Sequence, residues 1–439
     1  MGTDETPTRR RGAISRVATL WASRDLRWLL GVSFLDAAAS VPRLLAQGWL
    51  VLELTSSPFS VGLVAASEGI AMLLAGGAGG VVAARIDRRL GVAVGQLGFA
   101  ATAAVTAIFL AGDAITLALL VLLGVINGAL RTVKMPSLIT LMSAASGRAR
   151  MVGSLGARNL AFGIGKLIGS LIIGTMLEGG AYVAAYLLLA AIPLASTACM
   201  LFVRVGGRHR KSATAGTGSG RPSASTSEST SASDSIKRRF QELATAAAFG
   251  ARTPRVRTLL ALSALMEMFI FSLAATLPIV AREVLAVGAV ELGWLSAATS
   301  AGALVASTLL TTAGDWSRLG TAIVASCALC GVALLGLGAS SVLAISLGLA
   351  TLLGAVMTAY DTLIFTLAQR VVPTALRERQ MGLLMQTFGL GPLGALLTGF
   401  LSSTVSAPLA LMGGGAVLLL FVAGVAMPRR RLWDRPTSY

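Results

Sequence analysis

Charge is scarce in this chain of 439 residues: Asp, Glu, Lys and Arg make up only 13% of it. An ordinary soluble domain carries about twice that share. A chain so poor in polar groups cannot cover a water-soluble globule of this size, which excludes soluble-enzyme and disordered classes. Histidine is nearly absent. The single one, His209, lies in a basic polar stretch and excludes a multi-histidine metal site. The three cysteines, Cys199, Cys327 and Cys330, all sit inside apolar runs, so no disulfide framework is implied. Cys327 and Cys330 have C-x-x-C spacing, but AIVASCALCGVALLGLG around them reads as a membrane helix rather than a redox or metal centre. Nucleotide signatures are missing too. Gly165-Lys166 lacks the rest of a phosphate loop, and Gly389-x-Gly391-x-x-Gly394 lies in an apolar run with Pro392 and no preceding strand. No cofactor is expected, and any pumping must draw on an ion gradient.

What is present is apolar length. Hydrophobic residues make up 55% of the chain, and the mean hydropathy is +0.79. A bilayer core about 30 Å thick needs about 20 helical residues. Runs of that length recur at roughly 27–52, 59–83, 91–112, 114–136, 151–177 and 181–203. After a polar break they resume at 256–281, 290–313, 320–339, 341–366, 379–404 and 408–427. The expected fold class is therefore an all-α membrane protein of twelve transmembrane helices in two six-helix halves. The corresponding division is a cytoplasmic tail at 1–25, an N-terminal half at 26–203, a linker at 204–254, a C-terminal half at 255–427 and a cytoplasmic tail at 428–439.

The net charge of +17 would suggest nucleic acid on a soluble protein. Here the basic residues alternate by side. Arg9, Arg10 and Arg11 precede the first span; Arg85, Arg88 and Arg89 follow the second; Arg148 and Arg150 follow the fourth. The central break, then Arg318, Arg377 and Arg379, and finally Arg429 to Arg431 continue the pattern. The opposite connections are almost free of Lys and Arg, with Arg282 the exception. This asymmetry places both termini in the cytoplasm and excludes a nucleic-acid surface. The basic start followed by an apolar run is not a cleaved signal, because the run is too long and contains Asp36, Pro42 and Arg43. Within the break, SATAGTGSGRPSASTSESTSASDS at 212–235 reads as a flexible linker. IKRRFQELATAAAFGA at 236–251 reads either as a helix on the membrane surface or as a lead-in to the seventh span.

The halves echo one another. Arg148-Ala149-Arg150-Met151-Val152-Gly153 follows the fourth span, and Arg377-Glu378-Arg379-Gln380-Met381-Gly382 follows the tenth. Repeated units joined by a central linker are the mark of an alternating-access carrier. Four stretches extend the pattern to a family. They are WLVLELTSSP at 49–58, GGVVAARIDRR at 79–89, LPIVAREVL at 277–285, and QRVVP at 369–373 followed by LRER at 376–379. In register and in order, they resemble the major facilitator superfamily, and within it the drug/proton antiporter branch that includes enterobactin and macrolide exporters. The second stretch is similar to the superfamily's G-x-x-x-D-R-x-x-R-R loop, so the resemblance implies a cytoplasmic gating role for Gly80, Arg85, Asp87 and Arg88. Ala84 stands where the family has an aspartate that latches the two halves, which leaves Asp87 as the nearest substitute. Gly156, Gly165 and Gly169 have the antiporter-signature spacing, with Ser170 in place of its proline. Close helix packing explains these glycines equally well.

An ionisable group at mid-bilayer is costly unless paired or hydrated, so each is a functional candidate. Asp36, Glu68, Lys166 and Glu267 all fall near mid-depth of their spans, and Asp361 lies deep along the tenth. Arg43 follows Asp36 by seven residues, two turns along the same face. The family mapping, in which helices 1, 4, 7 and 10 line the cavity, implies that Asp36, Arg43, Glu267 and Asp361 surround the substrate path. Lys166 serves either function or a structural clasp to Glu68 or Asp36. Arg131 and Lys134 read as snorkelling residues near the end of the fourth span, where exposure costs little. Burial favours the protonated form of a carboxyl group, the condition a proton carrier needs. Met266, Met268 and Phe269 around Glu267 suit an adaptable apolar pocket.

The sequence thus reads as a monomeric, multi-pass transporter of a bacterial inner membrane. It carries no catalytic site, and its partners are the lipid bilayer and a small organic substrate exported in exchange for protons. A siderophore or lysophospholipid cargo is the second reading, and a non-transporting receptor with a transporter fold the third.

Overall fold

The computed structural model describes residues 24–146, 151–204, 254–312, 318–371 and 390–428. Both tails, the linker, and the expected echoes around Arg148, Arg150, Asp315, Arg377 and Arg379 lie outside these residues, as do the side chains at 76–81 and 83–85, including positions 80 and 85 of the loop motif. The described chain folds into twelve α-helices. The first half contains α1 (Arg24–Thr55), α2 (Pro58–Arg85), α3 (Arg88–Ala111), α4 (Leu117–Ser146), α5 (Met151–Glu178) and α6 (Tyr182–Leu201). The second contains α7 (Pro254–Ile279), α8 (Ala289–Thr312), α9 (Leu319–Ala339), α10 (Leu343–Val371), α11 (Gly391–Thr404) and α12 (Ala407–Phe421). Ten of them are long and apolar enough to cross a bilayer. The all-α, twelve-helix expectation holds.

Local chemistry explains where helices begin. Proline opens α2, α11 and α12, where the missing N–H is no loss. Asp87 caps α3, its Oδ1 accepting from the Arg89 N–H at 2.8 Å. Pro42, Pro136 and Pro193 lie inside α1, α4 and α6, as membrane helices allow when neighbouring helices satisfy the freed backbone. Pro136 therefore does not end α4, which runs ten residues beyond the expected limit of 136. α7 continues past Pro278 into a π-helical turn at Val280–Val284. The outer faces expose Leu74, Ile108, Leu201 and Leu420, side chains that a water-soluble bundle would bury.

The packing repeats with an offset of six helices. α1 packs on α5 as α7 packs on α11; α2 packs on α4 as α8 packs on α10; α3 packs on α6 as α9 packs on α12. The halves meet along two seams, α2 against α11 and α5 against α8, which exchange under the same offset. Both seams bring bare backbone into contact. A Cβ on Gly62 would meet the Gly399 Cα at 3.2 Å, and one on Gly174 would meet the Gly293 Cα at 3.0 Å. α1 and α7 also touch, at the end of the bundle that carries the α1–α2 connection. There a Cβ on Gly48 would lie 2.8 Å from Pro278, and Arg282 bonds to Glu53 at 3.1 Å. At the same end, Glu178 of α5 accepts from the Ala289 N–H of α8 at 2.6 Å.

Candidate functional site

The first half holds a buried charge cluster. Asp36 of α1 pairs directly with Lys134 of α4, and its Oδ1 also accepts from Gln96 of α3 at 3.1 Å. Glu68 of α2 binds Arg43 of α1 through one oxygen at 2.7 Å and Arg131 of α4 through the other at 3.0 Å. Arg43 also donates to the Gln47 side chain at 2.9 Å. The Phe99 ring of α3 lies beneath both cations, with the Lys134 Nζ 4.0 Å and the Arg43 guanidinium carbon 5.5 Å from its centroid. Sequence positions explain the assembly. On α3, Gly95 presses on the aliphatic stem of Lys134, where a Cβ would lie 2.6 Å from the lysine's own Cβ. On α4, Gly128 abuts the Glu68 backbone. Bare backbone at these two positions lets α2, α3 and α4 approach closely enough for short side chains to meet.

Two expectations change here, and one pairing is added. Lys134 does not snorkel: it is 1% exposed and carries the ion pair to Asp36. It is residue 18 of the 30 in α4, well inside the helix rather than at its end. Lys166 clasps neither Asp36 nor Glu68, because those acids are paired with Lys134, Arg43 and Arg131. Arg43 engages Glu68 rather than Asp36, its neighbour on the same helix face.

A cavity of about 170 Å³ lies between the halves. Val41 and Leu45 of α1, Leu273 and Leu277 of α7 and Met357 of α10 give it apolar walls. Lys166 of α5 enters from one side, its ammonium donating to Thr299 of α8 at 3.1 Å. Asp361 of α10 enters from the other, and among the described residues its buried Oδ1 has no hydrogen-bond partner. Glu267 of α7 is 6% exposed and close enough to Asp361 for the two charges to interact. Among the described residues neither acid pairs with a cation.

The structure therefore separates the residues that the sequence grouped as one site. Lys166 and Asp361 line the cavity, with Glu267 beside Asp361. Asp36 and Arg43 instead line a separate recess of about 10 Å³, with Gln96 and Phe99. Of the expected helices α1, α7 and α10 contribute to the cavity and α4 does not, while α5 and α8 do. Met266, Met268 and Phe269 do not form its wall. Met266 is in the core, the Met268 backbone meets Gly394 of α11, and the Phe269 ring meets Gly414 of α12. Sequence reasoning missed Thr299, Met357 and Gln96. The signal for Gln96 was a long amide in mid-span, the same cue that drew attention to the acids. Asp87 is exposed and caps α3, and the side chain of Arg88, also exposed, follows it.

This architecture has clear counterparts. A POT family transporter in complex with a thioalcohol-conjugated peptide superposes with a TM-score of 0.71 at 12% identity, over 94% of this chain and 97% of its own. A bacterial homolog of the human lysosomal transporter Spinster, in an inward-facing and occupied conformation, gives 0.63 at 14%, over 95% and 98%. The nucleoside transporter NupG gives 0.64 at 14%, over 94% and 100%. At these identities the likeness is one of fold. No curated protein sequence matches significantly. A family model described as Major Facilitator Superfamily matches residues 28–393. Together with the two-seamed bundle and its central cavity, that match makes the chain a multi-pass membrane transporter, not an enzyme, and a member of the Major Facilitator Superfamily.

Proposed function

We propose that the protein is a secondary active exporter of the drug/proton antiporter type, moving a small organic molecule out of a bacterial cell in exchange for protons. The positive-inside count supports an inner-membrane orientation with cytoplasmic termini. In that orientation the contacts at Gly48, Glu53 and Glu178 close the outer face, and the cavity serves the inner one.

One observation carries the reading: the acids of the two halves differ in kind. Asp36 and Glu68 have cations against them, so their charge is already balanced and the pairs act as girders. Glu267 and Asp361 lie within electrostatic reach of each other and pair with no cation among the described residues. Two neighbouring carboxylates in a low-dielectric interior are neutralised by a proton or by a cationic guest. Competition between the two is what exchange requires. Loading from outside brings the proton in; opening inward releases it to the cytoplasm, and substrate binds in its place. Rocking about the backbone seams alternates the access.

The experiment uses the purified protein in vesicles with an imposed pH gradient, alongside a binding measurement. Glu267→Gln preserves shape and removes titration. It is expected to abolish gradient-driven export while a neutral substrate still binds. If the variant still concentrates substrate against its gradient, Glu267 is not the carrier, and Asp361→Asn tests the neighbouring acid.

A further inference from the structure

Granting that the cavity between the halves is the substrate site, its two charged groups specify the substrate more narrowly. We infer that the cavity selects amphoteric molecules, with an anionic group held at Lys166 and a cationic group held at Asp361. Lys166 belongs to the first half and Asp361 to the second, and both line the same cavity. Among the described residues neither is fully satisfied. The Lys166 ammonium has three donors, and the hydroxyl of Thr299 takes one of them. The inner oxygen of Asp361 takes none from the described residues. Each half thus offers one uncompensated charge of opposite sign to whatever lies between them. The charge balance around the site points the same way. Three cations and two acids in the first-half cluster leave a positive excess in the half that carries Lys166. Glu267 adds a second carboxyl behind Asp361.

The helices also set a length. Thr299, which fixes the level of the Lys166 ammonium, lies with its backbone against Gly354 of α10. Asp361 is seven residues further along that helix, about 10 Å at 1.5 Å per residue. The two charged groups are thus held on levels of α10 about two turns apart, which calls for a guest whose own charged groups are several bonds apart. An α-amino acid is too short to span this. An amine and a carboxylate several bonds apart on a flat or apolar scaffold fit, with Leu273, Leu277 and Met357 covering the scaffold. Because such a guest touches both halves at once, it draws them together, which a singly charged compound does not.

The test uses 4-(aminomethyl)phenylacetate, its methyl ester, which keeps only the cation, and its N-acetyl derivative, which keeps only the anion. Their affinities for the detergent-purified full chain are measured by ligand-dependent thermal shift and by calorimetry. No gradient is involved, so a failure of proton coupling leaves the readout intact. The zwitterion is expected to bind about tenfold or more tightly than either derivative, as loss of one charge-assisted contact implies. Lys166→Gln should bring zwitterion and ester to equal affinity, and Asp361→Asn should do the same for zwitterion and N-acetyl compound. Equal binding of all three by the unmodified protein overturns the inference, as does absence of zwitterion binding at millimolar concentration. So does a uniform loss across the three ligands in both variants. Because the first comparison varies only the ligand, a variant that fails to fold does not blunt it.

Discussion

Lys134 and Asp36 stand 98 residues apart in the chain and form one ion pair, buried beneath the Phe99 ring. Removing one partner of a buried pair is far worse than removing both, because the survivor keeps its desolvation cost. Lys134→Met should therefore lower stability by about 3–5 kcal/mol, seen as a fall of several degrees in the thermal midpoint in detergent. The Asp36→Asn/Lys134→Met double variant should recover part of that loss. Strict additivity of the two single effects would show that the pair is not coupled.

Asp87 offers a separation of two roles. As the cap of α3 it accepts one backbone N–H, and asparagine caps as well as aspartate does. Asp87→Asn should leave the thermal midpoint unchanged, while Asp87→Ala should cost about 1 kcal/mol. A slowing of vesicle transport in Asp87→Asn then reports a charge contact near Arg88 and Arg89. Normal transport in that variant would leave Asp87 a cap and nothing more.

The glycines with antiporter-signature spacing also differ among themselves. A Cβ on Gly165 or Gly169 would strike the α1 backbone at Phe34 or Ala38, whereas one on Gly156 meets nothing within 4 Å. Gly169→Val should abolish the monodisperse peak of solubilised protein in size-exclusion chromatography, and Gly156→Ala should leave both peak and transport intact. A transport defect in Gly156→Ala would give that glycine a role beyond packing.

The Glu53–Arg282 contact joins α1 to α7 at 3.1 Å with the Trp49 ring 6.0 Å away. Cysteines at 53 and 282, joined by a short bifunctional reagent, should arrest vesicle transport, and cleavage of a reducible linker should restore it. Transport that persists after complete cross-linking would mean that this end does not open.

Cysteines placed between Ser212 and Ser235 should react with impermeant thiol reagents only from the cytoplasmic side. Labelling from outside intact cells would invert the orientation drawn from the basic residues.

The twelve helices were legible because a membrane span writes itself as an apolar run of fixed length. The charged residues were legible as anomalies in those runs, but their partnerships were not. Depth along one helix says nothing about which neighbour arrives at that depth. Lys134 looked peripheral because the expected span stopped at 136, two residues on, yet the helix continues to Ser146. Lys166 and Asp36 looked like partners because both were mid-depth charges of opposite sign. Their separation depends on Gly95, whose bare backbone brings Lys134 against α3 first. The cavity wall at Thr299 and Met357 carries no charge and gave no signal.

The seams where Gly62 faces Gly399 and Gly174 faces Gly293 have one more consequence. Side chains that interlock must leave their rotamer wells before two surfaces can slide, and each such escape adds to an activation barrier. Bare backbone at these crossings has nothing to disengage, so what must unlatch are the few polar contacts beside them, such as Ser170 with Ser296 and Lys166 with Thr299 across α5 and α8. Away from those contacts, movement across the seams is a problem of lubrication. The resistance it meets comes from the acyl chains that must flow around the outer leucines as the bundle changes shape, so turnover at saturating substrate should follow the fluidity of the surrounding lipid.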